Sequence, residues 1–180
     1  IIFHGPPGVG KSKLAIDIAV RLGESIYIVD PDDIHSNHIR KGSVLLIEEI
    51  DKVLMPNGDF ANPEKAGKLL QLLDGALRPR GAIIIMICND FDKVKKNKIL
   101  CRPGRYTDII EFGFVEESQC QSLCRSMYPN CDHLLLWNVV KDLNTTIAEL
   151  SIYVNNAALT DVPFSDMING AAKGIKKIKA

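Results

Sequence analysis

Ile1-Ile2-Phe3-His4-Gly5-Pro6-Pro7-Gly8-Val9-Gly10-Lys11-Ser12 is the stretch on which the reading of this chain turns. Ile1 to His4 is a short apolar run and reads as a strand. From Gly5 to Ser12 the residues fit G-x-x-x-x-G-K-[ST] in full. Beyond them Leu14, Ile16, Ile18, Ala19 and Leu22 recur at helical spacing, so Lys11 to Leu22 reads as a helix ending near Gly23. Glycines let the backbone turn tightly and aim successive N–H groups at phosphate oxygens. The helix that opens at Lys11 adds its positive N-terminal end. Lys11 is suited to place an ammonium against the β- and γ-phosphates, and Ser12 to give a hydroxyl to Mg²⁺. Gly5, Pro6, Pro7, Gly8, Val9, Gly10, Lys11, Ser12 and the following Lys13 are therefore the candidate phosphate-contacting residues, and Mg-ATP is the expected ligand. The plain alternative is an ordinary Gly/Pro turn. The strand before the loop and the amphipathic helix after it argue for the phosphate loop.

Three further segments carry chemistry. Val44-Leu45-Leu46-Ile47 is a short, wholly apolar strand of the kind buried on both faces, and it runs into Glu48-Glu49-Ile50-Asp51. Carboxylates at the carboxyl end of a strand lie where open α/β sheets bind ligands. The first, Glu48, is placed to hold the Mg²⁺ shell; the second, Glu49, to orient and polarise an attacking water. Ile83 to Cys88 ends at Asn89, whose amide can hold a water or a γ-phosphate oxygen; taken alone it reads as a turn former. Arg102-Pro103-Gly104-Arg105 then offers two guanidiniums on a Pro-Gly turn, able to reach a phosphate of their own chain or of a neighbour's. As an isolated motif that segment is a surface turn. Its place in this order favours the phosphate role.

Ser25 to Val29 and Ile109 to Phe112 read as further strands and Lys65 to Leu73 as a helix, while 31–40 and 52–63 read as loops. Strands alternating with helices imply a parallel sheet flanked by helices. After about Val115 the texture changes: Glu116 to Met127, His133 to Leu143 and Thr146 to Ala158 read as helices with no strand between them. The expected class is thus α/β, a phosphate-loop core over 1–114 followed by a small all-α lid subdomain over 115–170. The tail over 171–180, with Lys173, Lys176, Lys177 and Lys179, reads as a frayed, solvated end in preference to a binding patch.

The chain has 180 residues, 46% of them hydrophobic, enough for a real core. Its 22 basic and 22 acidic residues cancel, so charge gives no argument for nucleic acid or an anionic membrane as the main partner. No apolar run is long enough to span a bilayer. The sequence opens on a strand without an initiator Met and reads as a piece of a longer chain, so a membrane anchor would lie upstream. The five cysteines, Cys88, Cys101, Cys120, Cys124 and Cys131, are odd in number and irregular in spacing, which points to reduced thiols and an intracellular, reducing compartment. A metal site on Cys120, Cys124, Cys131 and His133 lacks a CxxC pair; buried thiols are the better reading.

In this order GPPGVGKS, LLIEEID, LLQLLDG, ICND and RPGRYTDIIEF resemble the AAA+ ATPases. The resemblance covers residues 1–113. It implies that Gly5 to Ser12 is the Walker A loop, Glu48 and Glu49 the Walker B acids, Asn89 the first sensor, and Arg102 and Arg105 arginine fingers acting across a subunit boundary. It also implies a homo-oligomeric ring of about six or seven subunits acting on a protein substrate. A Glu at the first Walker B position, the LLQLLDG run, Tyr128-Pro129 and Ala148-Glu149-Leu150 before Tyr153 are similar to the mitochondrial chaperones that assemble the cytochrome bc complex and translocate the Rieske protein. The sequence departs from the family pattern in four places, one of them the lack of a sensor 2 arginine in the lid. Glu48 is one methylene longer than the usual Asp, Asn97-Lys98 replaces the usual Asp-Pro, and the short stretch before Val44 lacks an aromatic pore loop. The function this implies is ATP hydrolysis coupled to remodelling or translocation of a protein. The alternatives are a nucleotide-binding ring subunit or scaffold with little hydrolysis, and a small-molecule kinase that shares the loop but gives no use for the arginine pair.

Overall fold

The computed structural model describes residues 1–30, 40–55, 57–75, 78–129, 132–160 and 162–179. Of the expected loop over 31–40, with the missing pore aromatic, residues 31–39 lie outside the described residues, and so does Cys131. The chain divides into two units. One comprises Ile1–Gly5 and Lys11–Phe112; the other comprises Pro6–Gly10 and Gly113–Ala180.

Among the described residues the first unit is built on five strands, β1 (Ile2–His4), β2 (Ile26–Ile28), β3 (Val44–Ile47), β4 (Ile83–Cys88) and β5 (Ile109–Glu111). Every pairing is parallel, in the order β2-β3-β4-β1-β5. Register aligns His4 with Cys88, so β1 and β4 end together at their carboxyl edge, while β3 ends at Ile47, opposite Met86 and two residues earlier. Parallel neighbours need crossovers, which here include α1 (Lys11–Leu22), α2 (Pro63–Leu73) and α3 (Phe91–Lys96). Because successive residues of a strand face opposite ways, β3 feeds two cores at once. Leu45 and Ile47 pack with Leu69, Leu72, Met86 and Val94. Val44 and Leu46 pack with Phe3, Ala15, Ala19 and Ile85 on the α1 side. All four β3 residues are buried, as a strand covered on both faces requires.

Local chemistry sets the helix ends. Gly23, at φ 67°, closes α1: its N–H reaches the Val20 carbonyl at 3.1 Å and the Glu24 N–H reaches that of Ala19 at 3.0 Å. Helix α2 begins two residues earlier than its apolar spacing predicts. Asn62 caps it, accepting from the N–H groups of Glu64 at 2.9 Å and Lys65 at 3.2 Å. Pro63, which reads as a loop residue, fits the first helical turn, where an N–H has no partner to lose. Helix α3 is too short for a periodic signal and escapes the sequence reading. Asp90 caps it through the Lys93 N–H at 3.0 Å.

In the second unit α4 (Glu117–Met127), α5 (His133–Val140), α6 (Ile147–Leu159) and α7 (Phe164–Lys179) enclose Cys120, Cys124, Leu136, Leu150, Val154 and Met167. The two cysteines are thus core thiols. Thr146 and Glu149 form a capping box at the start of α6. Residues 6–10 belong to this unit by contact: the Ala148 N–H donates to the Gly8 carbonyl at 3.1 Å. Helix α7 is not visible in the sequence reading and runs unbroken across position 171. Among the described residues no helix is long and apolar enough to cross a membrane.

Leu45, fully buried between β2 and β4, should cost about 2–5 kcal/mol when replaced by Ala. Ile28→Ala, at a position 70% exposed, should stay within about 0.5 kcal/mol. Urea unfolding of the two variants measures the contrast.

Candidate nucleotide site

The carboxyl edge of the first unit's sheet gathers most of the candidate residues. Gly5 ends β1 with φ 139°, and a Cβ placed there would lie 2.1 Å from the Phe112 carbonyl oxygen. No other residue fits that approach. Lys11 opens α1 and is only 6% exposed. Its Nζ donates to the Gly5 carbonyl at 2.7 Å and to Asn89 Oδ1 at 2.8 Å. Burial lowers the Lys11 pKa, while Cys88 and Asp51 nearby act to raise it. Beside Lys11, the Ser12 hydroxyl donates to Glu48 Oε1 at 2.6 Å.

Glu49 follows in the left-handed region, φ 53° and ψ 42°, a conformation costing a non-glycine residue roughly 1–3 kcal/mol. Its Oε2 accepts from Lys52 Nζ at 2.6 Å, with both side chains half exposed or more. Asp51 is the contributor that the sequence reading quotes without a role. It is 9% exposed, and its two carboxylate oxygens accept the backbone N–H groups of Asn89 and Asp90, each at 3.3 Å. The signal was present in a third acid after β3, but chain order does not say that the 50–53 turn folds it under β4.

Burial, with the Asp51 carboxylate adding to it, pushes the Cys88 thiol from its ordinary 9.0 up to about 12. Lys13 is not gathered with this group; its side chain is 80% exposed and its ammonium faces Asp17 at 3.6 Å.

The two arginines differ. Arg102 is exposed and forms no side-chain hydrogen bond or ion pair with the described residues. Arg105 is clasped by Asp74 through two bonds of 2.7 Å, and its Nη1 donates to the Ile99 carbonyl. Asn97, where the family pattern has Asp, is 4% exposed. Its Oδ1 accepts from the Ile99 and Leu100 N–H groups at 3.0 and 2.8 Å, and its amide donates to the Gly58 carbonyl at 2.7 Å. The substituted residue therefore anchors the segment that leads to the arginines. In the second unit the loop glycines Gly8 and Gly10 hold φ of 79° and 97°. A Cβ on Gly8 would come within 3.2 Å of both Ala148 and Thr146.

These groups fit the expected ligand. The Lys11 ammonium, buried beside the Gly5 carbonyl and the Asn89 amide oxygen, is a charged donor of the kind that suits an anionic phosphate. A hydroxyl beside a carboxylate is an oxygen donor pair of the sort a hard divalent cation takes. Among the described residues no cluster of three His, Cys, Asp or Glu stands ready to hold a metal by protein ligands alone, and a cation shared with phosphate oxygens needs none.

Residues 1–114 match the family described as ATPases associated with various cellular activities (AAA). The mitochondrial chaperone BCS1 of Homo sapiens is 30% identical over 148 residues, covering 71% of this chain and 34% of that protein. The ATP-dependent zinc metalloprotease FtsH 2 of Thermoanaerobacter sp. is 30% identical over 132 residues, covering 63% of this chain and 26% of that protein. Protein CdcH of Halobacterium salinarum is 28% identical over 137 residues, covering 65% and 18%. The chain spans little more than a third, or less, of each of these relatives.

Replacing Asp51 by Ala strands two N–H groups and should cost about 1–3 kcal/mol in urea unfolding. For Cys88 the sign follows from its raised pKa. Above pH 9 the unfolded chain gives up a thiol proton that the folded chain keeps, so folded-state stability falls as pH rises toward 12. The stability difference between the native chain and Cys88→Ala, measured in urea, should therefore shift against the native chain as pH climbs through that window.

Proposed function

The chain belongs to the AAA family of ATPases, and from that membership we propose that it hydrolyses Mg-ATP in a ring and couples turnover to remodelling or translocation of a protein substrate. The observation that carries the reading is the buried Lys11 ammonium, held at the sheet edge between Gly5 and Asn89 with the Ser12–Glu48 pair next to it. Lys11 and the N–H groups of Gly8 to Ser12 would neutralise the phosphates. Ser12 and Glu48 would hold Mg²⁺, which when bound screens the phosphate oxygens and ties them to the protein. The extra methylene of Glu48 does not keep its carboxylate from Ser12.

Glu49 would take the proton of the attacking water and Asn89 would orient that water. The Lys52 contact to Glu49 is exposed and worth about 1 kcal/mol or less, so it steers the carboxylate without withholding it. A neighbour's Arg102 would stabilise charge on the transferring phosphoryl group, and Arg105 belongs to the same assembly. Six or seven copies, roughly, would close the ring. The helical unit, with residues 6–10 bonded to it through Gly8, would carry nucleotide-dependent motion. Mitochondrial residence, as in the name of the human relative, is part of this proposal.

A second reading, nucleotide binding with little hydrolysis, draws on the backbone strain at Glu49 and its engagement by Lys52. Steady-state phosphate release separates the two. On the first reading the rate per subunit rises with protein concentration, and Glu49→Gln lowers it by about 100-fold or more while ATP binding survives. Full activity in Glu49→Gln would remove Glu49 from the mechanism. A flat, near-zero rate in the native chain across the concentration range would favour the second reading.

A further inference from the structure

We propose that Arg105 is a positioning residue that, clasped by Asp74, aims Arg102 at the neighbouring subunit, so that only one of the two arginines reaches the phosphate. The proposal rests on the trans-acting role given to Arg102 above. The clasp is bidentate, with Arg105 Nε on Asp74 Oδ1 and Nη2 on Oδ2, both at 2.7 Å. Planar fork-to-fork pairing fixes orientation as well as distance. The remaining arm, Nη1, donates to the Ile99 carbonyl. All three nitrogens of the guanidinium are thus engaged within the chain, and the side chain is only 6% exposed. Turning this guanidinium toward a neighbour's phosphate would break the two-bond clasp.

Asp74 supports the same assignment from the other side. It caps the carboxyl end of α2, where the helix dipole disfavours an anion. The Arg105 hydrogen bond nevertheless holds its carboxyl below the usual range; desolvation opposes it, and the Arg105 and Arg102 charges add smaller lowering effects. The residue type at that position is thus explained by the arginine and not by the helix.

The backbone carries the constraint onward. Arg102-Pro103-Gly104-Arg105 is a tight turn, closed by the Arg105 N–H on the Arg102 carbonyl at 3.3 Å. Pro103 is at its second position, and Gly104, with φ 94°, is at its third, the signature of a type II turn. Pro103 fixes one φ of the turn and the hydrogen bond ties its ends, so restraining Arg105 restrains Arg102. Asn97 pins the other end of the segment through Gly58, Ile99 and Leu100. Between these two anchors the Arg102 side chain stands exposed, with its backbone held by the Ile99 carbonyl and the Arg105 N–H, each at 3.3 Å.

The test compares R102A, R105A, D74N, the double variant D74N/R105A and the charge swap D74R/R105D, as steady-state ATP hydrolysis at 25 °C. Each protein is checked for thermal midpoint and assembly size at the same concentration. We expect R102A, R105A and D74N each to lower kcat by about tenfold or more with the KM for ATP nearly unchanged, since misaiming a group by an ångström costs up to about 100-fold. The double variant should be no worse than either of its single parents. The swap should recover kcat to within about threefold of the native chain, because it restores the clasp and leaves Arg102 in place. A merely structural pair would move the thermal midpoint and leave kcat below it untouched, which would overturn the proposal. D74N with native kcat, alongside an inactive R105A, would overturn it too and make Arg105 itself the phosphate contact. If the swap does not fold, the double variant decides, since additive losses count against the proposal. Native kcat in R102A would instead defeat the trans-arginine reading on which the proposal stands.

Discussion

The Lys11 ammonium is the constraint on which the first unit's edge depends. It is 6% exposed and reaches two oxygens that belong to different strands, the Gly5 carbonyl after β1 and the Asn89 amide after β4. A cation so placed must be bonded or it would shed its proton or its burial. Satisfying it ties the start of α1 to the ends of two adjacent strands. That in turn demands glycine at position 5, where the Phe112 carbonyl leaves no space for a side chain. It also demands that Asn89 be held still, which the Asp51 carboxylate does from beneath through two backbone N–H groups. One side chain thus accounts for a glycine, an asparagine and a buried aspartate.

The sheet was legible because its residues announce themselves. Val44 to Ile47 and Ile83 to Cys88 are continuous apolar runs, and only a strand covered on both faces suits them. The phosphate loop was legible because glycine, lysine and serine at that spacing, between a strand and a helix, have few other uses. What stayed hidden was of two kinds. Helix α3 is six residues long, too few for a period, and α7 sits where a lysine-rich end reads as solvated. Asp51 and Asp74 were quoted in their motifs, yet their partners, at Asn89 and Arg105, lie 38 and 31 positions further along the chain. Contacts at that separation follow from topology, which spacing does not reveal.

The charged groups on this edge are held with unequal firmness, and the inequality has a physical source. Glu49 meets Lys52 where both are open to water, so the ion pair is screened and easily exchanged. Arg105 meets Asp74 with its own guanidinium nearly removed from solvent and a third bond to a backbone carbonyl. A group that has to take up and release a proton gains from a loose contact, because its carboxylate stays available. A group that sets the aim of another gains from a tight one.

The same reasoning bears on why a left-handed glutamate is tolerated beside the loop. Glu48 and Glu49 are consecutive and, in an extended strand, would point to opposite faces. Glu48 stays with Ser12. The left-handed turn at Glu49 ends the strand at once and starts the 3-10 turn Ile50–Val53, whose second residue is Asp51. Without it β3 would carry on, and the buried carboxylate could not turn back under Asn89 and Asp90. The backbone cost at Glu49 is therefore offset by the two N–H groups that Asp51 satisfies, and the acid proposed for chemistry and the acid that supports Asn89 are placed by a single kink.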